Sequence, residues 1–260
     1  MKMDTLIAIG LNLISALLGF WIGWLWQILT KMIQYRQAKH FWKPFVKGES
    51  QVVVGRFLEF TSFEQSGFLG VGDAIAFAEL NTYLASMGLR NLQLSYADQL
   101  NGDALKTHLV LLGGPDANEI SKEAISKMKM NIRFGDPTGH SIALYDMMSK
   151  KLFAPQRITD SAEISTDYGA IIRTPNPFAP GKQLLLIAGG FGYGTWAGTR
   201  FAISKQFTKN KRVLKNGSIE CLIETDVVRK TPQDIRPIFL RKIEADLPEK
   251  KEEEGSHQAP

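Results

Sequence analysis

The sequence predicts an α/β protein, with one apolar helix at its amino end followed by a mostly parallel sheet flanked by helices. Three observations carry this reading. Residues 5–29 are 25 consecutive positions without a charged side chain. From residue 51 to residue 227, short apolar runs alternate with segments of helical periodicity. One of those runs, THLVLL (107–112), reads as an apolar strand at a central position of a parallel sheet, and both it and the strand QLLLIA (183–188) lead into a glycine turn.

The apolar helix comes first. At about 1.5 Å per residue it is about 38 Å long, enough to cross a hydrocarbon layer of about 30 Å with some tilt. A cleaved signal peptide is the rival, but its apolar core would be shorter, and the run through Trp21, Trp24 and Trp26 offers no small-residue cleavage site. The division expected is a transmembrane helix over 1–30, a basic juxtamembrane linker over 31–47, an α/β domain over 48–247 and a solvated tail over 248–260. Lys31, Arg36, Lys39, Lys43 and Lys47 follow the span, whereas only Lys2, offset by Asp4, precedes it. By the positive-inside rule the carboxyl-terminal domain is cytoplasmic, which in a prokaryotic cell means the inner membrane.

Those five cations equal the net charge of +5, so the rest of the chain is close to neutral. A nucleic-acid partner loses its main support, and an anionic lipid surface is the simpler one. The single cysteine, Cys221, excludes an internal disulfide, and the four histidines show no metal-ligand spacing. No metal and no required cofactor are expected. Around the span, Asn12, Ser15, Gly19 and Gly23 fall on one face at about 100° per residue. Such a small-residue ladder lets two helices approach closely, and Asn12 could pair with its copy. Self-association into a homo-oligomer, or a water-lined pore along this stripe, follows as an expectation.

Within the soluble part the expected strands are 51–60, 91–96, 107–112, 169–173, 183–188 and 220–227. The expected helices are 72–87, 119–129 (capped by Asn118) and 195–204. Residues 131–168 have a weak pattern and their order is left open. Asp136 to His140 reads as a turn, and His108 as a structural histidine.

Ligands of a parallel sheet bind beyond the carboxyl ends of its strands, so three turns are the candidate site. The first brings Gly72 and Asp73 to a helix that also carries Glu79. The second is Gly113, Gly114, Pro115, Asp116, Ala117 and Asn118. The third runs Gly189, Gly190, Phe191, Gly192, Tyr193, Gly194, Thr195, four glycines in six residues between strand and helix. Glycines there let the backbone approach an anion, and helix-start N–H groups can bind it. The spacing is neither a dinucleotide fingerprint nor a Walker loop. Arg173, at the end of a strand, is a further candidate for a phosphate or a neighbouring carboxylate.

A strand ending in Ala188-Gly189-Gly190, followed by Gly-Tyr-Gly-Thr and a helix, is similar to the Rossmann-like superfamily of LOG, DprA and nucleoside deoxyribosyltransferase folds. Its sensor branch, SLOG, stands beside the CARF domains as nucleotide-signal receptors in prokaryotic defence. The resemblance implies a nucleotide-type ligand and a membrane effector of antiviral defence. It covers two or three turns and the architecture, and it departs from the LOG enzymes at one telling place. Their GGxGTxxE motif carries a glutamate where this chain has Gly198, so binding without turnover is the simpler implication. Were the protein an N-glycosidase on nucleotides or NAD, Glu79 or Asp116 would have to supply the carboxylate. A scaffold with no small ligand is the third possibility.

Overall fold

The computed structural model describes residues 3–60, 62–88, 92–135, 142–159, 161–215 and 217–243. The expected turn at 136–140 and the expected tail at 248–260 lie outside them.

The first helix, α1 (Met3–Lys47), is 45 residues long and has two differently built halves. Its stretch Gly10–Thr30 is long and apolar enough to cross a membrane and is not covered by the rest of the chain. Asn12, Ser15, Gly19 and Gly23 are exposed there. The second half corrects the expectation of a linker over 31–47. Ala38, Phe41, Trp42 and Phe45 repeat at helical spacing and are buried, while Arg36, Lys39, His40 and Lys43 face outward. The basic residues are therefore the wet side of a core helix, and α1 passes from its apolar half into the domain without a break.

The main sheet contains β1 (Ser50–Val54), β2 (Gln93–Tyr96), β3 (His108–Leu112), β4 (Ile164–Pro175), β5 (Gln183–Gly189), β6 (Ile219–Val228) and β7 (Thr231–Lys242). Their order is β7-β6-β4-β5-β3-β1-β2, with a two-residue strand, Gln156–Arg157, added to β4. Neighbours from β5 to β2 are parallel, whereas β4 is antiparallel to both β5 and β6, and β7 to β6. The core of the sheet is thus parallel as expected, and an antiparallel meander extends it. The sequence reading has no strand at 231–242. Pro232 and Pro237 break its pattern, and both are tolerated because β7 is an edge. The β6–β7 turn places Arg229 and Lys230 at positive φ, the geometry of a tight hairpin.

Alternate residues of each buried strand serve opposite layers. Val52, Val54, Val110, Leu112, Leu185 and Ile187 face α1, α2 (Val71–Ser86) and α4 (Gly192–Ala202). Val53, Leu109, Leu111, Leu184 and Leu186 face α3 (Glu119–Lys127) and a small sheet of Ile132–Phe134, Leu144–Asp146 and Lys151–Phe153. At the lower end of the parallel strands Phe45 meets His108, and Phe41 meets Phe207 at 5.3 Å between ring centres. The apolar half of α1 leaves from that lower end. The carboxyl ends of β1, β3 and β5 are at the upper end.

Candidate functional site

Because β1, β3 and β5 run in parallel, the turns after β3 and β5 and the start of α2 must open on the same side. They do so around one cleft of about 740 Å³. Of the sequence candidates, Gly72, Asp73, Gly113, Gly114, Asp116, Gly189, Gly190, Gly192, Tyr193 and Thr195 line it. The starts of α2 and α4 touch backbone to backbone. A Cβ on Gly72 would lie 2.1 Å from the Gly192 carbonyl oxygen, so no other residue fits at position 72 without parting the helices. Two helix starts, each a partial positive charge, therefore meet beside the cleft.

The glycine turn after β5 is already occupied by a carboxyl group from within the chain. Asp167, on β4, is completely buried beneath it. Its carboxylate accepts the N–H of Gly194 at 2.6 Å and that of Phe191 at 3.1 Å, and also the N–H of Tyr168 at 2.8 Å. Burial pushes the Asp167 carboxyl up to about 7, against the pull of those N–H groups. Gly194 consequently serves Asp167 and does not line the cleft, unlike its neighbours. Thr195 is also used: its hydroxyl accepts from the Gly189 N–H at 3.1 Å.

Asp73 is the second buried acid. It stands in the first turn of α2, is 5% exposed and lines the cleft. A Cβ on Gly113 would come within 2.9 Å of its Oδ2, so the glycine at position 113 makes room for this carboxylate. Among the described residues its Oδ1 has no hydrogen-bond partner. Burial raises the Asp73 carboxyl to about 6, and the Thr195 hydroxyl acts in the opposite direction.

Three candidates are not where a ligand would meet them. Asn118 is buried and fully engaged. Its Oδ1 accepts from the N–H groups of Ile120 and Ser121, and its Nδ2 donates to the carbonyls of Val53 and Leu112. It caps α3 and ties that cap to two strand ends. Arg173 is 3% exposed at the far end of β4, opposite Leu185, because β4 runs antiparallel to β5. There it donates to the carbonyls of Val213 and Gly217 and lies over the Phe41 ring, and burial lowers it to about 10. Glu79 is held off the cleft between α2 and α4. It accepts from Trp196 Nε1 at 2.9 Å and from Arg200 Nη2 at 2.7 Å. Asp116 remains on the rim, exposed to solvent.

The cleft also includes residues that the sequence reading missed. Phe57, Phe134 and Trp196 line it, and Lys230 approaches from the β6–β7 turn. Together with Phe191 and Tyr193 they give the cleft several aromatic faces around a few polar groups, the usual make-up of a small-molecule site. Trp196 had a signal, being the residue after the glycine turn. Asp167 had none, since it lies 27 positions before the N–H it serves. Among the described residues no group of acidic, histidine and cysteine side chains is placed to hold a metal ion. No protein-family model matches the chain, and a search of curated proteins finds no significant relative.

Proposed function

We propose that the chain is a single-pass membrane receptor whose α/β domain binds a nucleotide-type ligand and whose α1 carries the bound state into the bilayer. The observation that supports it is the joining of two features in one body. The upper end of the sheet has a cleft lined by glycine turns and helix starts, and the lower end is locked onto the continuation of a membrane-length helix. The Rossmann-like sensor branch that the glycine turn resembles gives the ligand class and the setting, a homo-oligomeric defence effector at the inner membrane. Exposed Arg36, Lys39 and Lys43, just beyond the span, favour a cytoplasmic domain on anionic lipid.

A mechanical route exists for such coupling. α2 starts at the cleft, and near its other end Tyr83 meets Tyr35 of α1 at 6.3 Å. Near the end of α4, Phe201 meets Phe207 at 5.7 Å, and Phe207 packs on Phe41 of α1. A ligand that changes how α2 and α4 meet at Gly72 and Gly192 would therefore change the seating of α1. Binding one assembly state about 100-fold more tightly would shift its population by about 2.7 kcal/mol. The stripe of Asn12, Ser15, Gly19 and Gly23 is where self-association or a pore would form.

The test is mass spectrometry of small molecules carried by the natively purified full chain, then membrane potential in cells expressing it while the identified nucleotide is supplied. Depolarisation that depends on the ligand supports the receptor. A bound ligand with an unchanged membrane potential and an unchanged oligomer removes the effector role.

One observation favours a second reading, a membrane-tethered N-glycosidase. Asp73 is a buried carboxyl in the cleft, raised to about 6, which suits an acid–base group better than Glu79, engaged by Arg200, or Asp116 on the rim. Release of free base from NAD or nucleotides by the purified chain, abolished in Asp73→Asn, would establish the enzyme.

A further inference from the structure

The cleft combines two facts that constrain what it takes. The anion-binding turn after β5 has its Phe191 and Gly194 N–H groups committed to Asp167. The cleft itself holds a carboxylate, Asp73, that is 5% exposed and has one oxygen without a donor among the described residues. A buried acceptor left unpaired destabilises a fold, so a donor on a ligand is the natural complement. Asp116 adds a second carboxylate at the rim, against one cation, Lys230, among the described lining residues. With Asp73 already in the first turn of α2 and the Asp167 carboxyl at the start of α4, the two helix starts have carboxyl partners from within the chain, and the pattern disfavours phosphates deep in the cleft and welcomes a neutral group that donates.

We infer that Asp73 is the acceptor for a hydroxyl or amino donor of a nucleoside-class ligand lying against the aromatic lining, and that recognition runs through this donor and not through a phosphate on the 189–195 turn. Phe57, Phe134, Phe191, Tyr193 and Trp196 supply an aromatic lining against which a base can lie. Any phosphates on the ligand then point outward, toward Lys230 and solvent. The inference rests on the reading of the cleft as a nucleotide-type site, and it reverses the part of that reading in which the glycine turn holds the anion.

The experiment is calorimetric titration of the full chain in lipid nanodiscs with adenosine, guanosine, cytidine and uridine and with their 5′-monophosphates, on the wild type, Asp73→Ala and Asp73→Asn. At least one nucleoside is expected to bind within about tenfold of its monophosphate. Asp73→Ala should weaken both by about tenfold or more, and Asp73→Asn, which keeps an acceptor oxygen, by less. The melting temperature of the unliganded Asp73→Ala chain should equal or exceed that of the wild type, because a buried unpaired acceptor has been removed; a purely structural Asp73 would lower it and leave affinity unchanged. Monophosphates that bind where nucleosides do not, or an Asp73→Ala chain that binds as the wild type does, overturn the inference and leave the nucleotide reading intact. A wild type that binds none of the eight overturns that reading as well. To tell the donor's source, 2′,3′-dideoxyadenosine is compared with inosine: loss with the first assigns a sugar hydroxyl, loss with the second a base amino group, and loss with neither overturns the inference.

Discussion

The carboxylate of Asp167 lies 2.6 Å from the N–H of Gly194, filling from inside the protein the anion position that the glycine turn creates. A turn that looks built for a ligand's phosphate is in this chain a device that joins β4 to the start of α4. Replacing Asp167 with Ala should lower stability by about 1–3 kcal/mol, the cost of leaving buried N–H groups unpaired. The same variant should gain a response to inorganic phosphate that the wild type lacks, since the vacated N–H groups can then donate to an outside anion. Thermal melts with and without phosphate measure both effects, and equal phosphate responses in the two proteins would contradict the assignment.

The place where the chain can be cut follows from the burial of Phe41, Trp42 and Phe45. A protein beginning at residue 31 should give a folded, soluble domain. One beginning at residue 48 should aggregate, having lost three of the largest fully buried side chains. Phe41→Ala alone should cost about 3–5 kcal/mol. Circular dichroism and denaturant titration of the two truncations check this.

Glu79 is a strut between helices, with Arg200 and Trp196 as its donors. Glu79→Gln should destabilise the domain by about 1–2 kcal/mol through loss of a charge-assisted pair that is partly open to solvent. Nucleoside affinity should change by less than about threefold, because Glu79 is absent from the lining. A loss of binding much larger than the loss of stability would return Glu79 to the site.

Two buried acids give stability an unusual pH dependence. Asp73 is raised to about 6 and Asp167 to about 7, so in the folded chain each keeps a proton that the unfolded chain has already released. Their contribution is complete below the ordinary carboxyl range, near pH 4, and is lost as pH rises through about 6 and about 7. Asp146, which bonds to Arg241 and Ser149 and is lowered to about 2, acts the other way and matters only under stronger acid. The melting temperature should therefore fall between about pH 4 and about pH 7 and level off above it. The Asp73→Asn, Asp167→Asn double variant should flatten that slope, and an unchanged slope would show that other groups set it.

The sequence on its own determined what is local. Helix α3 starts behind its Asn118 cap as expected, and the apolar runs that became β3 and β5 each announce a strand followed by a glycine turn. Parallel direction then brings those turns to one end, which is why ten of the candidate residues line a single cleft. The helical spacing of Ala38, Phe41, Trp42 and Phe45 was equally present in the sequence, but the cations interleaved with it gave the impression of a linker. Tertiary structure alone decided the rest, because strand direction and partners across the fold leave no local mark. An antiparallel β4 carries Arg173 away from the cleft and brings Asp167 under it. Partners elsewhere in the fold, the Arg200 side chain for Glu79 and the Val53 and Leu112 carbonyls for Asn118, consume groups that looked free. A hydrogen bond is satisfied by whatever folding brings within about 3 Å, and that neighbour is set by the packing of whole layers, not by the residues on either side.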